Sequence, residues 1–227
     1  MNIAIVGSTG LVGREIINLC EEFLPKDTNY TLFASSKSAG KKLKVNGKDY
    51  EVKELSENNI ESYDISLFSA GGERSKNFAE IFTSKGSYVI DNSSAFRMEK
   101  EVPLVVFGIN ENTISQETKL ISNPNCTTMG LVMVLKPLHD KYNLLNIVPV
   151  AYQAVSGSGS EAVNSLIQEE SLGEKLDSDY EKGFYDRPIA RNVIPLAGNL
   201  TENGYSDEEM KFVNESRKIL NIPQLIV

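Results

Sequence analysis

The segment Asn123-Pro124-Asn125-Cys126-Thr127-Thr128 places a thiol where a helix is about to begin. An apolar run, Met129-Gly130-Leu131-Val132-Met133-Val134-Leu135, follows and the pattern continues to Tyr142. Pro124 and Asn125 end the strand-like run at 119–122 and open a new element. The first amides of a helix are unpaired and carry partial positive charge, a setting that favours thiolate over thiol. Cys126 therefore reads as a nucleophile. The plainer reading is a small residue buried at a tight turn.

A second constellation is built for phosphate. Gly7-Ser8-Thr9-Gly10-Leu11-Val12-Gly13 follows the apolar, β-branched run Asn2-Ile3-Ala4-Ile5-Val6 and precedes a helical pattern through Ile16, Ile17, Leu19 and Phe23. Strand, glycine turn and helix in that order form the opening of a dinucleotide-binding unit. The spacing is G-x-x-G-x-x-G rather than G-x-G-x-x-G, yet it still lets backbone approach a pyrophosphate at the helix N-terminus. Candidate cofactor contacts here are Gly7, Thr9, Gly10, Leu11, Val12 and Gly13. Glycine turns also make plain strand-to-helix connections.

The end of the next strand, at 30–34, selects the nucleotide. NAD sites usually place an acid there for the ribose 2′-hydroxyl. This chain has Ser35, Ser36, Lys37 and Ser38, then Ala39-Gly40-Lys41-Lys42, which suits a 2′-phosphate and so NADP. The alternative is a solvated basic loop. Ala70 and Gly71 follow a further strand at 65–68, on the edge where nucleotides bind in parallel sheets. A third constellation, Tyr152-Gln153-Ala154-Val155-Ser156-Gly157-Ser158-Gly159, follows a predicted strand at 145–150 and precedes a helix starting near Ser160. Gln153 there could orient a substrate or polarise its carbonyl, or the segment is a simple loop.

Taken together these motifs resemble the aspartate-β-semialdehyde dehydrogenase family. Seven occur in family order. They are the glycine turn, the Ser-x-x-Ser-Ala-Gly-Lys loop, Asp91-Asn92-Ser93-Ser94-Ala95-Phe96-Arg97, Asn123-Pro124-Asn125-Cys126-Thr127, Gln153-Ala154-Val155-Ser156-Gly157, Arg191-Asn192-Val193-Ile194-Pro195 and Glu208-Glu209-Met210-Lys211. The resemblance implies NADPH-dependent reduction of L-aspartyl-4-phosphate to aspartate semialdehyde, on the way to lysine, threonine, methionine and diaminopimelate. In it Cys126 attacks the acyl phosphate and the resulting thioester is reduced by hydride from nicotinamide. Gln153 matches the substrate-positioning residue. Arg97 and Asn125 match phosphate-holding positions, with Lys211 near the same pocket, and Glu208 matches the carboxylate that meets the substrate ammonium. Ser156 and Gly157 join the cofactor contacts. The resemblance also implies a cytoplasmic homodimer or homotetramer acting on a small molecule, with no metal. Bland alternatives are a surface ion pair for Arg97 and an exposed i,i+3 pair for Glu208 and Lys211.

Two departures concern the rim. Lys37 stands where the family commonly has arginine, and Val105-Val106-Phe107-Gly108-Ile109-Asn110 replaces a Pro-Glu-Val-Asn pattern. A larger one concerns acid–base chemistry, because the family's catalytic histidine and carboxylate-clamping arginine lie beyond the Glu-Met-Lys helix. The only histidine here, His139, is thirteen residues from Cys126 in one predicted helix, roughly 20 Å away at 1.5 Å per residue. It reads as a helix C-terminal residue. Residues 220–227 read as a helix end followed by an apolar strand, which suggests a fragment of a longer enzyme, inactive alone.

Composition bounds the alternatives. A chain of 227 residues holds one large domain or two modest ones, and a net charge of −8 argues against nucleic acid. Two cysteines make no disulfide framework, Cys20 reads as packing or surface, and no apolar run approaches the ~20 residues of a membrane span. Strand-like runs at 31–34, 65–68, 88–90 and 104–107, with helical patterns between several of them, give an α/β chain. A Rossmann-type nucleotide-binding domain is expected over 1–126. An incomplete α+β substrate and dimerisation domain is expected over 127–227, with a polar stretch at 172–190 carrying Asp177, Asp179, Tyr180 and Tyr185. N-acetyl-γ-glutamyl-phosphate reductase would do parallel chemistry without needing Glu208. Glyceraldehyde-3-phosphate dehydrogenase would show Ser-Cys-Thr-Thr-Asn and use NAD. A nucleotide-binding module with a structural cysteine is the non-enzymatic alternative.

Overall fold

A computed structural model describes residues 1–173, 176 and 181–227. Asp177, Asp179 and Tyr180 of the expected polar excursion lie outside the described residues. The described chain forms two compact units, residues 1–148 with 212–227, and residues 149–211.

The first unit is organised on a seven-stranded sheet. Its strands are β1 (Asn2–Val6), β2 (Asn29–Ala34), β3 (Lys42–Val45), β4 (Lys48–Glu54), β5 (Ile65–Phe68), β6 (Tyr88–Asp91) and β7 (Leu120–Ser122). They lie in the order β3-β4-β2-β1-β5-β6-β7, and every pairing is parallel except that of β3 with β4. From β4 to β7 this is the doubly wound nucleotide-binding order, with its switch point between β1 and β5. β1 is central and buried on both faces, which is why its sequence is continuously apolar instead of alternating.

Side-chain alternation along β1 feeds two cores. Ile3 and Ile5 pack with Ile17 and Cys20 of helix α1 (Leu11–Phe23), while Ala4 and Val6 pack with Phe33, Phe68, Ala79 and Phe82 on the other face. Phe82 belongs to α2 (Gly72–Ser84), and its ring meets Phe68 edge-to-face at 5.1 Å. Helix α3 (Cys126–Tyr142) and the end of helix α5 (Asp207–Leu220) share a third cluster through Val132, Leu135, Ile219 and Leu220.

The second unit contains α4 (Ser160–Leu172) and the start of α5. The buried Glu169 of α4 accepts the amides of Ile189 (2.6 Å) and Ala190 (2.8 Å), which ties the returning loop to the helix. A capping box opens α5: Ser206 Oγ accepts the Glu209 amide, and Glu209 reaches back to the Ser206 amide.

Three sequence expectations are corrected and one element is added. Residues 104–107 form no strand. Leu104 makes one parallel bridge to Ser122, and Asn110 takes up the Val106 amide and Leu104 carbonyl that a ladder would need. The expected strand at 145–150 is reduced to one bridge, Asn146 to Ile226, because a strand exists only where a neighbour pairs with it. The apolar terminal residues likewise form that single bridge, not a strand. The β3–β4 hairpin was not anticipated, although Asn46-Gly47, both at positive φ, is the strongest two-residue hairpin signal.

Candidate active site

The nucleotide-type loops sit together at the carboxyl ends of parallel strands. Gly7 to Gly13 follow β1, Ser35 to Ser38 follow β2 as a 3-10 turn, and Ala70 and Gly71 follow β5. Gly7 and Gly13 are dictated by contact: a Cβ on Gly13 would lie 2.1 Å from the Gly7 carbonyl, and one on Gly7 2.2 Å from the Ser69 carbonyl. Gly10 caps α1 and Gly71 caps α2, both without a side-chain hydrogen bond to the helix amides. These two helix N-termini, lacking side-chain caps, flank the switch point, a donor set suited to a dinucleotide pyrophosphate. Lys37 is exposed beside Ser36 and Ser38, as a 2′-phosphate would need.

One step along the same edge, the loops after β6 and β7 are bound to each other. Asp91, wholly buried, accepts Ser75 Oγ and Ser93 Oγ, each at 2.6 Å, so its carboxylate is satisfied within the fold. Asn123 donates through its side-chain amide to Asn92 Oδ1 at 2.7 Å. Arg97 then spans both loops, with Nε donating to the Asn123 carbonyl and Nη2 to the Asn92 carbonyl, each at 3.0 Å. Its Nη1 meets Glu215 at 2.9 Å, in an ion pair whose side chains are 9% and 3% exposed. Nη1 and Nη2 each carry a second N–H beyond these bonds.

This frame presents the cysteine. α3 begins at Cys126, and Asn125 is its cap, accepting the Thr127 amide at 3.0 Å. The Asn125 amide itself donates to Glu215 Oε2 at 2.7 Å. Cys126 is exposed, whereas Cys20 is buried against the sheet and its thiol is pushed up by that burial. The buried-turn reading of Cys126 is thereby excluded. His139 lies in the last turn of α3, where its carbonyl accepts the Asn143 amide.

The remaining sequence candidates belong to the second unit. Gln153 is exposed in an irregular segment, and Ser156 and Gly157 follow in the 3-10 turn Val155–Ser158. Glu208 and Lys211 pair with each other across one turn of α5, both half-buried. The sequence reading missed Glu215 and Lys218, which carries its ammonium to the carbonyls of Arg97 (2.8 Å), Glu99 (2.7 Å) and Val102 (2.8 Å). The i,i+3 spacing of Glu215 and Lys218 gave no hint of partners 90 or more residues away.

Comparison with known proteins identifies the family. The family model for the semialdehyde dehydrogenase NAD binding domain matches residues 2–117, and that for the semialdehyde dehydrogenase dimerisation domain matches residues 135–227. The chain is 44% identical to aspartate-semialdehyde dehydrogenase of Corynebacterium glutamicum, an alignment that covers 99% of this chain and 70% of that protein. Its counterpart from Campylobacter jejuni is 43% identical, with 96% of this chain and 65% of that protein covered. Among solved structures, aspartate semialdehyde dehydrogenase II of Vibrio cholerae, complexed with ASA, superposes with a TM-score of 0.92 at 37% identity, covering all of this chain and 68% of that one. The Candida albicans enzyme with NADP gives 0.63 at 26% identity, covering 96% of this chain and 60% of its own.

Proposed function

The chain belongs to the aspartate-semialdehyde dehydrogenase family of oxidoreductases, and from that premise we propose that it serves the NADPH-dependent conversion of L-aspartyl-4-phosphate to aspartate 4-semialdehyde through a thioester on Cys126. The observation that carries this reading is the exposed thiol at the first residue of α3, on the same sheet edge as the glycine turns. The Cys126 sulfur attacks the acyl carbon, the acyl–phosphate bond breaks and inorganic phosphate leaves. The loop held by Arg97 and Asn125 supplies donors for the phosphate dianion. NADPH, when bound, would supply the hydride for reducing the Cys126 thioester to the aldehyde with return of the thiol group. Gly7, Thr9, Gly10, Leu11, Val12 and Gly13 would hold the pyrophosphate with Ala70 and Gly71. Ser35, Ser36, Lys37 and Ser38 would hold the 2′-phosphate, which is the basis for preferring NADP over NAD.

Gln153 is assigned to substrate positioning, Glu208 to the substrate ammonium, Lys211 to the phosphate side, and Ser156 and Gly157 to the cofactor. Residues 1–126 are read as the nucleotide domain and 127–227 as the catalytic and dimerisation domain of a cytoplasmic homo-oligomer. The dimerisation-domain match supports assembly. No helix among the described residues is long and apolar enough to cross a membrane.

The test is a single-turnover acylation with aspartyl phosphate. This half-reaction asks of the chain its thiol and phosphate donors, and not the complete catalytic cycle for which the sequence reading expects it to be insufficient. The expected result is phosphate release stoichiometric with protein and an acyl adduct on the Cys126 peptide, both absent in Cys126→Ala. Phosphate release by Cys126→Ala, or an adduct on Cys20 instead, would falsify the assignment.

A further inference from the structure

We propose that Glu215 is a positioning residue for the nucleophile: its carboxylate joins Arg97 to the backbone amide of Asn125 and so fixes the residue from which the Cys126 helix starts. The proposal rests on the reading of Cys126 as the nucleophile. Glu215 lies on the buried face of α5, 3% exposed, and its two oxygens are divided between two loops. Oε1 takes Arg97 Nη1 at 2.9 Å, and Oε2 takes the Asn125 amide at 2.7 Å. Asn125 in turn caps α3 through Thr127, so a shift of its backbone moves the first turn and the thiol with it.

Stability alone is a weak reason for such a pair. Two desolvated charges are commonly no better than well-packed apolar side chains of the same volume, whereas their geometry is demanding. Here one carboxylate links α5 to the amide preceding the nucleophile, and Arg97 is the guanidinium assigned to the phosphate. Lys218, one turn on, secures the segment after Arg97 by three carbonyls. The same face of α5 therefore holds both loops that border the thiol.

The experiment uses the 227-residue chain and reads iodoacetamide labelling of Cys126 and Cys20 by peptide mass spectrometry at fixed pH. Buried Cys20 reports whether each variant stays folded. Glu215→Asp keeps the charge but withdraws the carboxylate by one methylene, so it cannot reach both partners. Glu215→Gln keeps the length but leaves one acceptor oxygen for two donors. The expected result in each is a roughly 3- to 10-fold fall in Cys126 labelling, the size of a lost helix-terminus interaction, with Cys20 still protected. Single-turnover phosphate release should slow by about 100-fold, as for an ångström-scale misplacement, with substrate saturation unchanged. The Asp variant decides unless it exposes Cys20, and the Gln variant then decides by the same criterion. Unchanged Cys126 labelling with Cys20 protected overturns the proposal. Faster labelling in Glu215→Gln also overturns it, by showing that the carboxylate acts through charge. Cys20 exposure in both variants overturns it too, making Glu215 a folding residue. A wild-type chain that releases no phosphate counts against the dehydrogenase reading, while the labelling comparison still decides the role of Glu215.

Discussion

At Arg97 one buried guanidinium satisfies the carbonyls of Asn92 and Asn123 and pairs with Glu215. A lysine is a point charge without the planar fork and cannot reach all three. Arg97→Lys should therefore destabilise the protein by about 1–3 kcal/mol, the range for a buried polar group left unpaired. The urea midpoint should fall at constant slope, and an unchanged midpoint would refute the bridging role. Lys37 is the opposite case, an exposed cation whose only proposed partner is the cofactor. Lys37→Ala should raise the Kd for NADP by about 10-fold, equivalent to one charge-assisted hydrogen bond, and leave that for NAD unchanged. Equal effects on both nucleotides in a binding titration would remove the basis for the NADP preference.

Helix α1 depends on close approach to the turn that precedes it. Gly13→Ala puts a methyl 2.1 Å from the Gly7 carbonyl, so the helix must move away from β1. The expected loss is about 1–3 kcal/mol or more, as for overpacking, together with loss of nucleotide binding; retained affinity would show that the turn does not hold the cofactor. The same helix gives the sheet an alkaline limit. Cys20 and Tyr30 are both shifted upward from ordinary values of 9.0 and 10.0, chiefly by burial. The folded state therefore keeps protons that the unfolded state releases. Their contribution is fully present below about pH 9 and is lost as pH rises through the folded values. Denaturant midpoints should fall from pH 9 to pH 11, and a Cys20→Ala, Tyr30→Phe variant should flatten that slope. An equal slope in the variant would place the effect elsewhere.

Over the whole molecule, apolar side chains near the 145–152 segment remain in water: Val148 is 92% exposed, Val150 78% and Tyr152 83%. Their spacing of two is that of a strand face, yet among the described residues only Asn146 pairs, with Ile226. Exposed apolar surface of this kind marks association or aggregation. Sedimentation velocity should show association that rises with protein concentration and is reduced by Val148→Asp combined with Val150→Asp. A single monomeric species at every concentration would contradict this.

The strand, glycine turn and helix at the N-terminus were legible because local pattern and turn chemistry agree there: β1, β5 and the starts of α3 and α4 fall where the residues place them. Cys126 was legible because Pro124 and Asn125 mark the helix start whatever surrounds them. The expected strands at 104–107 and 145–150 failed because apolar alternation says that a segment is able to pair, not that a partner is present. Glu215 was illegible for a related reason. On its own helix it is one acid among several, and only the fold carries it across 90 residues to the amide of Asn125. Sequence alone determined the kind of chemistry, because thiol, glycines and helix starts are local. Tertiary structure decided which buried charge holds the thiol in place, because that depends on contacts between segments far apart in the chain.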